Sequence, residues 1–128
     1  MDPRYAAVVD ALSDYFDGLY LSDTDILSRV FHPDARYVCA TEPTLVNFGM
    51  DEYLPIVARR PSPASRGEER RDRIAGIEFA GPATAFARVH CAIGPKHFTD
   101  FLTLIETDGR WRIIAKVFHF DLVDTAAA

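Results

Sequence analysis

The sequence predicts an α+β fold in which three N-terminal helices pack on a strongly bent antiparallel sheet, giving a cone. Three observations predict it. Apolar residues recur at helical spacing through the first part of the chain, and the pattern then changes to the short period of strands. The second half reads as four strands of about ten residues, long beside the usual ~5–6, punctuated by Gly81-Pro82, Gly94-Pro95 and Asp108-Gly109. A sheet of such strands twists and bends around a partner, and the only partners this chain offers are its helices.

Asp2-Pro3 opens the first helix, since Asp caps free amides and Pro is tolerated in a first turn. Tyr5, Val8, Val9, Leu12, Tyr15, Phe16 and Leu19 form its apolar stripe, which ends near Leu21. Ser22 and Asp23 cap a short second helix with Ile26, Leu27, Val30 and Phe31 on its apolar face, stopped by His32-Pro33-Asp34. Ala35–Ala40 and Thr44–Phe48 read as a small hairpin around Thr41-Glu42-Pro43. Gly49-Met50-Asp51 opens a third helix from Glu52 to about Arg60, with Pro55 expected in its first turn or so, and Pro61–Gly67 is a loop by composition. The strands then run from Arg70 to Phe79, Thr84 to Ile93, Lys96 to Glu106 and Arg110 to Phe120, and Asp124–Ala128 reads as a frayed tail. Neither an internal repeat nor a second domain is visible.

Pairing Thr107 with Arg110 across Asp108-Gly109 sets an expected register for the last hairpin. One face then holds Thr99, Phe101, Thr103 and Ile105 with Arg112, Ile114, Lys116 and Phe118, and is assigned inward. The other holds Phe98, Asp100, Leu102 and Leu104 with Trp111, Ile113, Ala115, Val117 and His119. Both faces are largely apolar. The helices cover one, so the outer face is expected to cover itself in a two-fold homodimer.

Composition narrows the function classes. A net charge of −5 argues against nucleic acid, because neutralising phosphates needs a basic face. The one basic concentration, Arg59, Arg60, Arg66, Arg70, Arg71 and Arg73, is interleaved with Glu68, Glu69 and Asp72 and reads as a solvated loop more readily than as an anion site. Cys39 and Cys91 have no metal-ligand spacing and read as buried, reduced thiols. No run approaches the ~18 apolar residues of a membrane span, and no signal-peptide pattern follows Met1, so a cytoplasmic protein without a membrane partner is expected. His32, His90, His97 and His119 lack metal spacing, and no phosphate loop, nucleophile elbow or nucleotide fingerprint occurs, so neither metal nor cofactor is expected. Nine Phe, five Tyr and one Trp fit a pocket for a small apolar or aromatic ligand as well as a core.

Several phrases carry a family resemblance. They are Tyr15-Phe16-Asp17-Gly18-Leu19-Tyr20, Phe31-His32-Pro33-Asp34-Ala35 and Arg60-Pro61-Ser62-Pro63-Ala64, followed by Phe98-Thr99-Asp100-Phe101-Leu102 and by Asp108-Gly109-Arg110-Trp111-Arg112-Ile113 leading into Lys116-Val117-Phe118-His119. In this order the chain resembles the nuclear transport factor 2-like superfamily, in particular its putative lumazine-binding and SnoaL-like branch, over nearly its whole length. The resemblance implies a homodimer and a cone with an apolar pocket. It implies no single reaction, because the superfamily holds isomerases, dehydratases, cyclases, epoxide hydrolases and plain binding or assembly domains. Ketosteroid isomerase-like members carry a carboxylate base on the first strand, where this chain has Cys39. They also carry a protonated carboxyl on the strand before the last hairpin, where counting back from Gly109 puts Phe101, with Asp100 expected to face the other way.

Candidate chemistry rests on polar residues set in apolar strands. In the expected register Asp100 lies opposite Val117 and diagonal to His119, a pair able to act as an oriented general base with Tyr15 as a hydroxyl donor. The competing reading is a buried polar pair at the dimer interface. Tyr20, His32, Tyr53, Arg88, His90, Phe101, Lys116 and Phe118 are the expected ligand-binding residues. Lys116, if inside, needs a partner, because an unpaired buried ammonium is costly. Three functions stay open: a small-molecule-binding protein with unspecified activity, an acid–base enzyme of cyclase, dehydratase or isomerase type, and a structural dimerisation module.

Overall fold

A computed structural model describes residues 2–123; the tail expected to fray, Asp124–Ala128, lies outside them. The elements are α1 (Pro3–Leu21), α2 (Thr24–Val30), β1 (Phe31–Cys39), β2 (Val46–Phe48), α3 (Met50–Arg59), a 3-10 turn (Ala64–Arg66), β3 (Arg73–Ala80), β4 (Thr84–Ile93), β5 (Lys96–Thr107) and β6 (Arg110–Leu122). The helices and hairpins follow the expected order.

Helix starts obey their caps. Asp2 accepts from the Arg4 amide at 2.9 Å, and Asp23 accepts from the amides of Asp25 and Ile26. Phe31, expected on α2, is instead the first residue of β1, and its ring packs edge-on to Tyr15 and Tyr53. Pro55 lies further into α3 than a first turn, and the helix carries it. At Gly18 an added Cβ would stand 2.5 Å from Leu27 Cδ2, so a side chain there would drive α1 and α2 apart.

The six strands form one sheet in the order β2-β1-β6-β5-β4-β3. All neighbours are antiparallel except β1 and β6, which run parallel because they are not joined by a tight turn. The parallel pair brings the C-terminal ends of β1 and β6 together at one end of the cone, where the turn between β4 and β5 also lies. Helix and sheet meet over a core that includes Val8, Leu12, Tyr15, Leu27, Phe31, Tyr53, Val57, Ala87, Val89, Leu102, Leu104 and Ile113.

One irregularity decides what faces this core. Thr107 pairs with Arg110 as expected, and the pairing holds to Leu104 opposite Ile113. Thr103 then pairs with Ala115, so Ile114 is an extra residue, a β-bulge. Beyond it every β6 side chain changes face relative to β5. Lys116 now lies opposite Leu102, and Phe118 opposite Asp100. The inner face therefore carries Asp100, Leu102, Lys116 and Phe118, all buried, while Phe101, Val117 and His119 are exposed on the outer face.

Candidate functional site

The end of the cone where β1 and β6 finish holds a partly open cavity of about 330 Å³. Its aromatic wall is Tyr37 from β1, Phe98 from β5, and Phe118 and Phe120 from β6. These rings converge because the register pairs Tyr37 with Lys116, Cys39 with Phe118 and Phe98 with Phe120. Cys39 and its β2 partner Val46 add to the lining. Glu42 and Thr44 come from the hairpin loop, Ile93, Gly94, Pro95 and Lys96 from the β4–β5 turn and its flanks, and Arg60 and Arg66 from the segment after α3.

Beneath these rings lies a polar cluster. Asp100 is fully buried, and the Tyr15 hydroxyl donates to its Oδ2 at 2.5 Å. The Cys91 thiol donates more weakly to the same oxygen at 3.9 Å, and Lys116 Nζ stands 3.9 Å from it. Among the described residues Asp100 Oδ1 has no hydrogen-bond partner. The Lys116 ammonium is almost wholly buried and ringed by aromatic faces: Phe118 at 4.8 Å, Tyr15 at 5.1 Å, Tyr37 at 5.2 Å and Phe98 at 5.9 Å from ring centroid. Each desolvated contact of this kind contributes up to about 2 kcal/mol. Three of those four rings also line the cavity, so Lys116 sits directly behind its aromatic wall.

Burial governs the titration of this interior. It is the largest cause holding the Tyr15 hydroxyl well above the ordinary tyrosine range, and the Asp100 charge adds to it. Burial likewise pushes Tyr53, Tyr37 and the Cys91 thiol up; Arg60 works against the first two, and Lys116 against Tyr37 and Cys91. These groups are neutral donors at ordinary pH.

The expected Asp100–His119 pair does not form, because the bulge at Ile114 puts the two side chains on opposite faces. His119 is exposed and bonded to Thr41 and Asp121. Asp100 meets Tyr15 and Lys116 instead. The expectation that the inward carboxyl of ketosteroid isomerase-like members is displaced here is also corrected, by β5 itself. Asp100 alternates in step with buried Leu102 and Leu104, so it points inward and Phe101 outward, and the face assigned inward was the outer one. Cys39 is the buried last residue of β1 and lines the cavity.

Of the expected ligand-binding residues, Phe118 lines the cavity and Lys116 backs it. Tyr53 is buried and stacks on the cavity residue Tyr37 with centroids 4.2 Å apart. Tyr20 lies elsewhere, donating to the Glu68 carbonyl at 2.6 Å beneath the Arg70 guanidinium. His32 Nδ1 accepts from the Asp34 amide at 3.0 Å, a local turn bond. Arg88 and Phe101 meet on the outer face, where the guanidinium lies 5.7 Å from the ring centroid, and His90 contacts Thr99 there. That face also carries the tilted Phe86–Phe101 pair and exposed Val117.

Sequence reasoning missed Tyr37, Phe98 and Phe120 as lining residues, and read Arg60 and Arg66 as solvated. The signal available was topological: the ends of the first and last strands and the β4–β5 turn belong to one end of the cone. Among the described residues no group of three His, Cys, Asp or Glu side chains is arranged to hold a metal, and no helix is long and apolar enough to cross a membrane.

Residues 3–119 match the family described as "Putative lumazine-binding". Solved structures similar to this one include an NTF2-like protein of unknown function from Shewanella baltica OS155, 26% identical with a TM-score of 0.81, covering 92% of this chain and 94% of that one. Another, from Methylobacillus flagellatus KT, is 25% identical with a TM-score of 0.79 and 94% coverage of both chains. A curated relative, Aldolase FrzH of Cladobotryum sp, is 22% identical over 118 residues, 91% of this chain and 90% of its own length.

Proposed function

Because the chain belongs to the "Putative lumazine-binding" family within the nuclear transport factor 2-like superfamily, we propose that it is a small-molecule-binding protein whose aromatic ligand occupies the cavity at the end of the cone. The observation that carries this reading is a hollow of about 330 Å³ walled by Tyr37, Phe98, Phe118 and Phe120. That volume is at the small end of the ~300–1,000 Å³ common for ligand pockets, and suits one small fused ring system. Flat rings stack on such walls, whereas a second hollow of about 270 Å³ beside Met50 and Leu54 offers the single ring of Phe31.

A neutral bicyclic probe tests it. 2-Naphthamide should bind the wild-type protein saturably at one site per chain in calorimetric titration. Val46→Trp, which projects an indole into the hollow, should weaken that binding at least ~10-fold while the protein stays folded. An absence of saturable binding to the wild type, or binding unchanged in the folded variant, refutes the reading.

An acid–base enzyme is the second reading. It draws on the Tyr15–Asp100–Lys116 cluster, which stands behind the cavity wall, and on a relative named an aldolase. Its weakness is access, since Asp100 and Tyr15 are fully buried and the rings of Phe98 and Phe118 stand between Lys116 and the hollow. The outer face of β4 to β6, with Phe101 and Val117 exposed, is assigned to a second copy of the chain. Sedimentation of a Phe101→Glu variant as a smaller species than wild type supports that assignment; a monomeric wild type at micromolar concentration removes it.

A further inference from the structure

The charges around the cavity do not follow the charge of the chain. The protein carries a net −5, yet the hollow is lined by Arg60, Arg66 and Lys96 against the single carboxylate of Glu42. Two of these cations have partners. Arg66 donates to the Pro61 carbonyl at 3.2 Å and stands 3.8 Å from Glu68, and Lys96 Nζ lies 4.6 Å from the Phe120 ring centroid.

Arg60 is different. Its Nε and Nη2 are buried, and among the described residues neither has a hydrogen-bond partner; the guanidinium has the neutral Tyr53 hydroxyl beside it, and it takes part in none of the ion pairs among the described residues. The phenols beside it supply no counter-charge, since burial raises the pKa of Tyr37 and Tyr53 more than Arg60 lowers it. Guanidinium donors left unmade in a low-dielectric wall are destabilising unless something supplies acceptors. The planar fork of Arg is matched best by a carboxylate, which accepts two parallel hydrogen bonds.

We infer that the cavity selects a planar aromatic carboxylate, its ring system against the aromatic wall and its carboxylate toward Arg60, with Lys96 and Arg66 raising the local positive potential. This deepens the proposed function and rests on it. Arg60 stands at the C-terminal end of α3, where the backbone turns extended, so the ordering of its side chain by a ligand disturbs little of the core.

The experiment compares 2-naphthoate with 2-naphthamide, which share a ring system and differ in charge. By calorimetry at low salt the carboxylate should bind the wild-type protein at least ~10-fold more tightly, the size expected for a hydrogen bond to a charged group. Arg60→Gln should erase most of that preference, weakening the carboxylate far more than the amide, and added salt should narrow it. Equal affinities in the wild type overturn the inference while leaving the binding reading standing. A preference that survives Arg60→Gln in full overturns the role of Arg60. Failure of both probes to bind refutes the inference together with the reading beneath it.

Discussion

The interior of this cone has two neighbouring polar regions that follow opposite rules. Around Asp100 the polar groups are sealed, and a hydroxyl, a thiol and an ammonium converge on one carboxylate with no room for a ligand. Around Arg60 the side chain borders a hollow, and two buried guanidinium donors, Nε and Nη2, lack hydrogen-bond partners among the described residues. The aromatic rings of Tyr37, Phe98 and Phe118 separate the two regions and touch both. The difference teaches that a polar residue inside an apolar fold is evidence of binding only when its partners are missing and space lies beside it. Asp100 drew attention in the sequence as an isolated charge on a strand, yet it is the better satisfied of the two.

The largest expected effect breaks the sealed region. Lys116→Met leaves the Asp100 carboxylate buried without its counter-ion and should cost about 3–5 kcal/mol in urea unfolding, whereas Asp100→Leu with Lys116→Met should recover most of that loss. Additive losses in the double variant would mean that the two groups do not work as a pair. Arg60→Gln, in the open region, removes two buried donors without partners and should leave the urea unfolding free energy equal or higher.

A smaller effect sharpens the contrast by pH. Burial raises the pKa of Tyr15, Tyr53 and Cys91 in the folded chain, so the native state keeps protons that the unfolded state releases. Stability from these groups is complete below the ordinary values of 9.0 for the thiol and 10.0 for the phenols, and is lost as pH rises beyond them. The melting temperature should therefore fall above about pH 9. Tyr15→Phe should begin lower, having lost a hydrogen bond to a charged group worth ~1.5–3 kcal/mol, and then fall less steeply. Arg60→Gln should keep the wild-type slope. Parallel curves for Tyr15→Phe and wild type would show that the Tyr15 proton is not held by the fold.

Much of this architecture is written in local patterns. The α1 stripe, the Asp23 cap, the Asp108-Gly109 turn and the alternation along β4 each follow from short-range chemistry, and together they specify the order of elements. The site is less legible because it depends on one residue. Ile114 looks like any apolar strand position, but as a bulge it moves Lys116 and Phe118 to the Asp100 side and His119 away from it. Nothing local in Arg112–Phe118 announces which residue is extra. The arginine-rich segment was half legible: Arg70 pairs with Asp17 and Asp72, and Arg71 with Glu69, as alternating charges suggest. Arg66 stands beside Glu68 in the same way, whereas Arg60 escapes that pattern, and the turn after α3 carries both to the cavity.

The ligand is assigned to the open end of the cone, and not to the sealed cluster or the outer sheet face. Backbone amide shifts recorded while 2-naphthoate is added to the 15N-labelled wild-type protein test that assignment directly. Saturable changes should gather at Tyr37–Cys39, Arg60, Gly94–Phe98 and Phe118–Phe120. Changes centred on Phe86, Phe101 and Val117, with the cavity residues unmoved, would contradict it.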